Sequence, residues 1–107
     1  MINARDFVDP ARDRGFIWYA GVPCSFLTPF INAVIGDPEL DYLSSANEGD
    51  AVAAAAGAWI GGTRSIAMMQ NSGLGNAVSP LTSLTHTFRI PVLIVCTHRG
   101  AHGVSDE

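Results

Sequence analysis

The 107-residue sequence contains no lysine; all six basic residues are arginines. That absence removes several chemistries. A Walker phosphate loop needs its lysine, and pyridoxal phosphate enzymes and Schiff-base aldolases need an amine nucleophile. Cysteine is scarce as well. Cys24 and Cys96 are far apart and match no metal or redox motif. Their apolar neighbours predict reduced core thiols in a cytoplasmic protein. No apolar run reaches the roughly 18 residues of a membrane span, and the N-terminus has no signal-peptide core. Nor is there a basic stripe, so with a net charge of -4 no nucleic-acid partner is expected. What the chain does have is a hydrophobic fraction of 48% against 15% charged residues, enough for a packed core and too apolar for disorder.

Periodicity gives the element order. Residues 3–14 read as a helix with Asn3 as cap. Pro10 either kinks it or opens a second turn capped by Asp9. "FIWYAG" reads as a buried strand. Leu27, Phe30, Ile31, Val34 and Ile35 recur at helical spacing, and Gly36, Asp37 and Pro38 stop that helix. "LDYLSS" is a weaker strand. A second clear helix spans 48–60, with Ala51, Val52, Ala55, Ala56, Trp59 and Ile60 on one face. "SIAMMQ" is a strand, 74–87 a helix, and "IPVLIVCTH" the strongest strand of all. Alternating strands and helices predict an α/β fold, a parallel sheet covered by helices on both faces. An open α/β sheet usually has more strands, so the domain is expected to be cut short after the fourth.

In such sheets ligands bind at the carboxyl ends of the strands. Four loops leave those ends: "GVPCS", "SANEG", "QNSGLGN" and "THRGAHG". In the third, Gly73 and Gly75 permit close backbone approach, either to hold an anion or a ring or merely to turn the chain. A dinucleotide fingerprint fails because Val78 stands where a third glycine belongs. A nucleophile elbow fails because Gln70 stands two before Ser72. Glu48 heads its helix, where a carboxylate complements the macrodipole. The run "AVAAAAGA" behind it also lets a flat ring approach, and a carboxylate against an apolar wall is a candidate acid or base. His98 and His102 flank Gly100 in a loop and predict no metal site, and His86 falls late in its helix. Cys24 lacks an evident histidine partner for nucleophilic work. Arg99 is the sole basic residue of these loops, either a surface arginine or a seat for a phosphate, sulfonate or carboxylate.

Taken together, "NEGDAVAAAAG", "MQNSGLGNAVSPLTSL" and "IPVLIVCTHRG" resemble the pyrimidine-binding domain of thiamin diphosphate-dependent 2-oxoacid decarboxylases. The match covers nearly the whole chain. "GVPCSFLTPFINAVI" and "HRGAHGVSDE" are similar to the branch acting on 3-phosphonopyruvate, with the 3-sulfopyruvate branch as a near neighbour. The resemblance implies that Glu48 hydrogen-bonds a ring nitrogen of the cofactor and controls the proton there. It implies cofactor contacts from Asn71, Ser72, Gly73, Leu74, Gly75 and Asn76, and substrate contacts from Ser25, Gln70, Asn71 and Arg99. The family's Mg²⁺ and diphosphate bind a second domain marked by a GDG motif, which this sequence lacks. No metal ligand is therefore expected in this chain. The other half of the site is expected from a partner subunit or a further region, in an oligomer. Two residues depart from the pattern: Cys24 replaces a common aspartate, and His98 replaces a tryptophan frequent in the phosphonopyruvate branch. Two other readings stay open, an inactive chain that only pairs with other subunits and a small flavodoxin-like module.

Overall fold

The computed structural model describes residues 3–103. The end of "HRGAHGVSDE", residues 104–107, lies outside the described residues. The chain begins with α1 (Arg5–Asp13), whose first backbone N–H is accepted by the Asn3 side chain at 3.0 Å. The helix runs on through Pro10. The missing N–H costs it one bond, but Val8 and Ala11 remain buried on its inner face.

Next come β1 (Phe16–Gly21), a 3₁₀ turn at Ser25–Leu27, α2 (Thr28–Ile35) and β2 (Asp41–Ser44). Helix α3 (Glu48–Ile60) leads to β3 (Arg64–Gln70). A 3₁₀ segment, Asn71–Ala77, precedes α4 (residues 78–88), and β4 (Leu93–Thr97) follows.

All neighbouring strands are parallel, in the order β2-β1-β3-β4. The buried strands β1 and β3 pair centrally, with Tyr19 opposite Ile66 and Ala20 opposite Ala67. On one face Val8, Ala11, Tyr19, Leu27, Val34, Ile66 and Met68 pack between the sheet, α1 and α2. On the other, Val52, Ala55, Ala67, Met69 and Ala77 pack under α3 and the segment after β3. Strand β3 thus serves both cores by alternation. The chain leaves β1 toward β2 and then returns across it to β3. With one crossover hand, that reversal puts α2 and α3 on opposite faces. The loops after β1 and β3 part at this switch point, where open sheets bind ligands.

The structure differs from the sequence reading in two places. The helix expected over 74–87 starts as 3₁₀ and contains a π stretch at Leu81–Thr85. Pro80 has no N–H for the carbonyl of Asn76, so one α-helical bond is missing at that point. That carbonyl turns toward α3 instead. Strand β4, the strongest strand of the sequence reading, is an edge strand with Leu93 and Cys96 exposed. The apolar run is real, but among the described residues nothing packs on its outer edge. Cys96 is therefore not a core thiol. Cys24 is half-buried, and both thiols are free.

Asp37, 6% exposed, fastens α1 to the turn after α2. It accepts the Glu39 backbone N–H at 2.9 Å and Arg12 Nη1 at 2.8 Å, with Arg5 Nη1 at 3.4 Å. The Glu39 N–H, ahead of the Arg12 guanidinium, holds its carboxyl below the usual carboxylate range, against the opposing effect of burial. A depressed carboxylate stabilises the fold above its unfolded value of about 3.9, and that contribution vanishes as pH falls through the lower folded value. Asp37→Asn should therefore unfold at a lower temperature than the parent at pH 7. The gap should narrow below about pH 4 in thermal melts. A gap independent of pH would show that the charge is irrelevant.

Candidate functional site

The loops at the carboxyl edge form two clusters joined by the segment Asn71–Ala77. The first is built on the start of α3. Asn47 caps the helix by accepting the Asp50 backbone N–H at 3.1 Å, and its own amide donates to the Asp50 carboxylate at 3.1 Å. Such a cap contributes about 0.5–2 kcal/mol. It fixes the first turn and so the direction in which Glu48 leaves the helix. Glu48 is half-buried, and its Oε2 accepts from Asn76 Nδ2 at 2.8 Å. Its other oxygen, Oε1, accepts no hydrogen bond among the described residues.

Two glycines make this arrangement possible. The Glu48 side chain lies on Gly73, in the space a Cβ there would fill. At Gly49 a Cβ would sit 2.6 Å from the Asn76 carbonyl oxygen, the one left without a helical donor by Pro80. The small residues read from the sequence as a close-approach surface thus have a definite use, as α3 meets the 3₁₀ backbone directly. Leu74 is exposed, and a Cβ at Gly75 would meet nothing within 4 Å. That end of the segment is open.

The second cluster surrounds Arg99. Its Nη1 donates to Gln70 Oε1 at 2.7 Å, and its guanidinium carbon lies 4.8 Å from the centre of the Phe26 ring. Asn71 clasps the Arg99 backbone from both sides, donating to the carbonyl at 3.0 Å and accepting the N–H at 3.2 Å. Gln70 Oε1 also accepts from the Cys24 thiol at 3.3 Å, while Gln70 Nε2 donates to Ser72 Oγ. Arg99 is half-buried.

Ser25 is exposed beside this cluster. With Pro23, Cys24, Thr28, Ile31 and Asn32 it lines an open cleft of about 360 Å³. Among the described residues, no hydrogen bond joins its side chain to either cluster. Sequence reasoning missed Phe26 and the bridging part played by Cys24. The motif "GVPCSFL" gave no signal for either, because Phe26 meets Arg99 of the fourth loop and Cys24 meets Gln70 of the third.

The first cluster has the donor set for one end of a heteroaromatic cofactor. A carboxylate with one oxygen anchored and the other available can accept a proton carried on a ring nitrogen. The side-chain-free Gly73 lets that carboxylate sit against the backbone. Among the described residues no group of three or more His, Cys, Asp or Glu side chains is placed to hold a metal ion. No helix among them is long and apolar enough to cross a membrane.

The family model "Thiamine pyrophosphate enzyme, N-terminal TPP binding domain" matches residues 4–107. The chain belongs to this thiamin diphosphate enzyme family. A phosphonopyruvate decarboxylase of Streptomyces viridochromogenes is 53% identical over 107 residues, 100% of this chain and 27% of that protein. Sulfopyruvate decarboxylase subunit alpha of Methanococcus maripaludis is 34% identical over 100 residues, 92% of this chain and 60% of that subunit. Among solved structures, benzoylformate decarboxylase from Polynucleobacter necessarius superposes with a TM-score of 0.79 at 21% identity, over 95% of this chain and 19% of that one. The last likeness bears on the fold alone. The thiamin diphosphate domain described here thus spans about a quarter of the length of its phosphonopyruvate decarboxylase relative.

The two glycines of the first cluster should respond differently to alanine. Gly49→Ala forces a backbone carbonyl to move and should cost about 1–3 kcal/mol in denaturant unfolding, as overpacking does. Gly73→Ala has the flexible Glu48 side chain as its nearest neighbour and should cost well under half as much, while displacing the carboxylate. Equal losses would contradict the packing described.

Proposed function

We propose that the chain supplies the pyrimidine side of a thiamin diphosphate site that decarboxylates 3-phosphonopyruvate to phosphonoacetaldehyde and carbon dioxide. The observation that carries this reading is the seating of Glu48, with Oε2 tied to Asn76, Oε1 available and Gly73 beneath. Thiamin diphosphate, when bound, supplies the electron sink that a 2-oxoacid needs to lose carbon dioxide. Glu48 Oε1 would hold the proton at a pyrimidine ring nitrogen. Asn76 keeps the carboxylate from swinging away, and Asn71, Ser72, Gly73, Leu74 and Gly75 would form the adjoining wall. Mg²⁺ and the diphosphate would be held elsewhere, on a partner subunit or a further part of a longer protein, so the working unit is an assembly.

At the substrate end, Arg99 is a half-buried cation held by the loops after β1 and β3, and a charge-assisted, bidentate contact to an oxyanion suits it. Ser25, Gln70 and Asn71 stand around it with polar groups. A short 2-oxoacid bearing a second anionic group fits this end, and the 53% identity to a phosphonopyruvate decarboxylase favours phosphonate there. The likeness to a sulfopyruvate decarboxylase alpha subunit supports a second reading, with sulfonate as the anion and the diphosphate half on a separate chain. A higher kcat/KM for 3-sulfopyruvate would select it.

In the assembled enzyme, Glu48→Gln should lower turnover by at least ~10²–10⁴-fold, the range of a general acid–base contribution, without loss of fold by circular dichroism. Glutamine keeps the size but cannot exchange the proton. Turnover near the parent level would remove the proposal. Arg99→Ala should weaken 3-phosphonopyruvate by roughly 1.5–3 kcal/mol in kcat/KM and pyruvate far less. Equal effects on the two substrates would show that Arg99 does not read the second anion.

A further inference from the structure

The hydrogen-bond directions around Gln70 determine one another. An arginine has donors and no acceptor, so the group facing Arg99 Nη1 must be the amide oxygen of Gln70. The Cys24 thiol donates to the same oxygen. The amide nitrogen then faces Ser72 Oγ as donor. Ser72 accepts that bond, which leaves its own hydroxyl proton to be given elsewhere. One amide thus sets both the direction of the guanidinium and the polarity of the hydroxyl. Its two ends are engaged by protein groups, while the Asn71 clasp holds the Arg99 backbone and Phe26 flanks the guanidinium plane.

We infer that Gln70 is a positioning residue for substrate specificity: it reads no substrate itself but aims Arg99 at the second anion. The inference rests on the anion-reading role proposed above for Arg99. Cys24 belongs to the same device. As a thiol it adds the second donor that keeps the amide from flipping. An aspartate in its place would offer no donor to Gln70 Oε1, and its charge would compete with the substrate for Arg99.

The test uses the assembled enzyme and the ratio of kcat/KM for 3-phosphonopyruvate to that for pyruvate. Gln70→Leu, nearly the same size, should lower the ratio about tenfold, mainly through KM, as expected for loss of one charge-assisted positioning bond. Gln70→Glu should lower it at least as far, because its carboxylate pairs with Arg99 and offsets the charge. If Gln70→Leu fails to fold, Gln70→Glu decides alone. The double variant Gln70→Leu/Arg99→Ala should show no further fall beyond Arg99→Ala, since the two residues act through one group. A further fall in the double variant would mean that Gln70 meets the substrate directly and would overturn the positioning role. So would a parallel loss on both substrates that leaves the ratio unmoved. An unmoved ratio in Arg99→Ala overturns the anion reading and the positioning role together. A ratio that falls in Arg99→Ala but not in either Gln70 variant overturns the positioning role alone.

Discussion

The contact between the start of α3 and the 3₁₀ segment after β3 is the constraint on which the candidate site depends. It exists because Gly49 and Gly73 have no side chains where the Asn76 carbonyl and the Glu48 side chain lie. Pro80 contributes by having no N–H to recapture that carbonyl into a helix. The result is a carboxylate held between a helix N-terminus and an amide. Asn76 fixes its direction. One geometry is compatible with either alternative weighed for Glu48, dipole partner or functional carboxylate.

The same segment orders the opposite end of the site. Gln70 and Asn71, at the exit of β3, reach across to the loop after β4 and hold Arg99 by side chain and backbone at once. A negative group and a positive group are thereby mounted on the two ends of one short stretch of chain. A cofactor ring that needs a carboxylate and a substrate that needs a cation can be served side by side. The sheet order provides the platform, because β1 and β3 are adjacent at the switch point and their loops open away from each other.

Much of this was legible in the sequence. The alternation of apolar runs and helical spacings gave the parallel α/β sheet, since buried strands and amphipathic helices carry unmistakable periods. Glu48 stood out as an acid before an alanine–glycine run, and the glycines of "NSGLGN" as points of close approach. Other features depend on tertiary neighbours and left no local trace. Gln70 and Arg99 are 29 residues apart and meet only because β3 and β4 pair. The 3₁₀ start of the helix expected over 74–87 accompanies Pro80, which has no N–H for the Asn76 carbonyl four residues back. Strand β4 has the most apolar sequence yet lies at an edge, since composition reports affinity for a core and not position in the sheet.

The central claim is that the Glu48 carboxylate is the group that meets the pyrimidine ring. The most direct measurement is a crystal structure of the assembled protein with thiamin diphosphate and Mg²⁺ bound. The account predicts Glu48 Oε1 at hydrogen-bond distance from a ring nitrogen, about 2.7–3.2 Å, with Asn76 still on Oε2. A bound cofactor whose ring nitrogens are met by other groups, with Glu48 still on Asn76 alone, would contradict it.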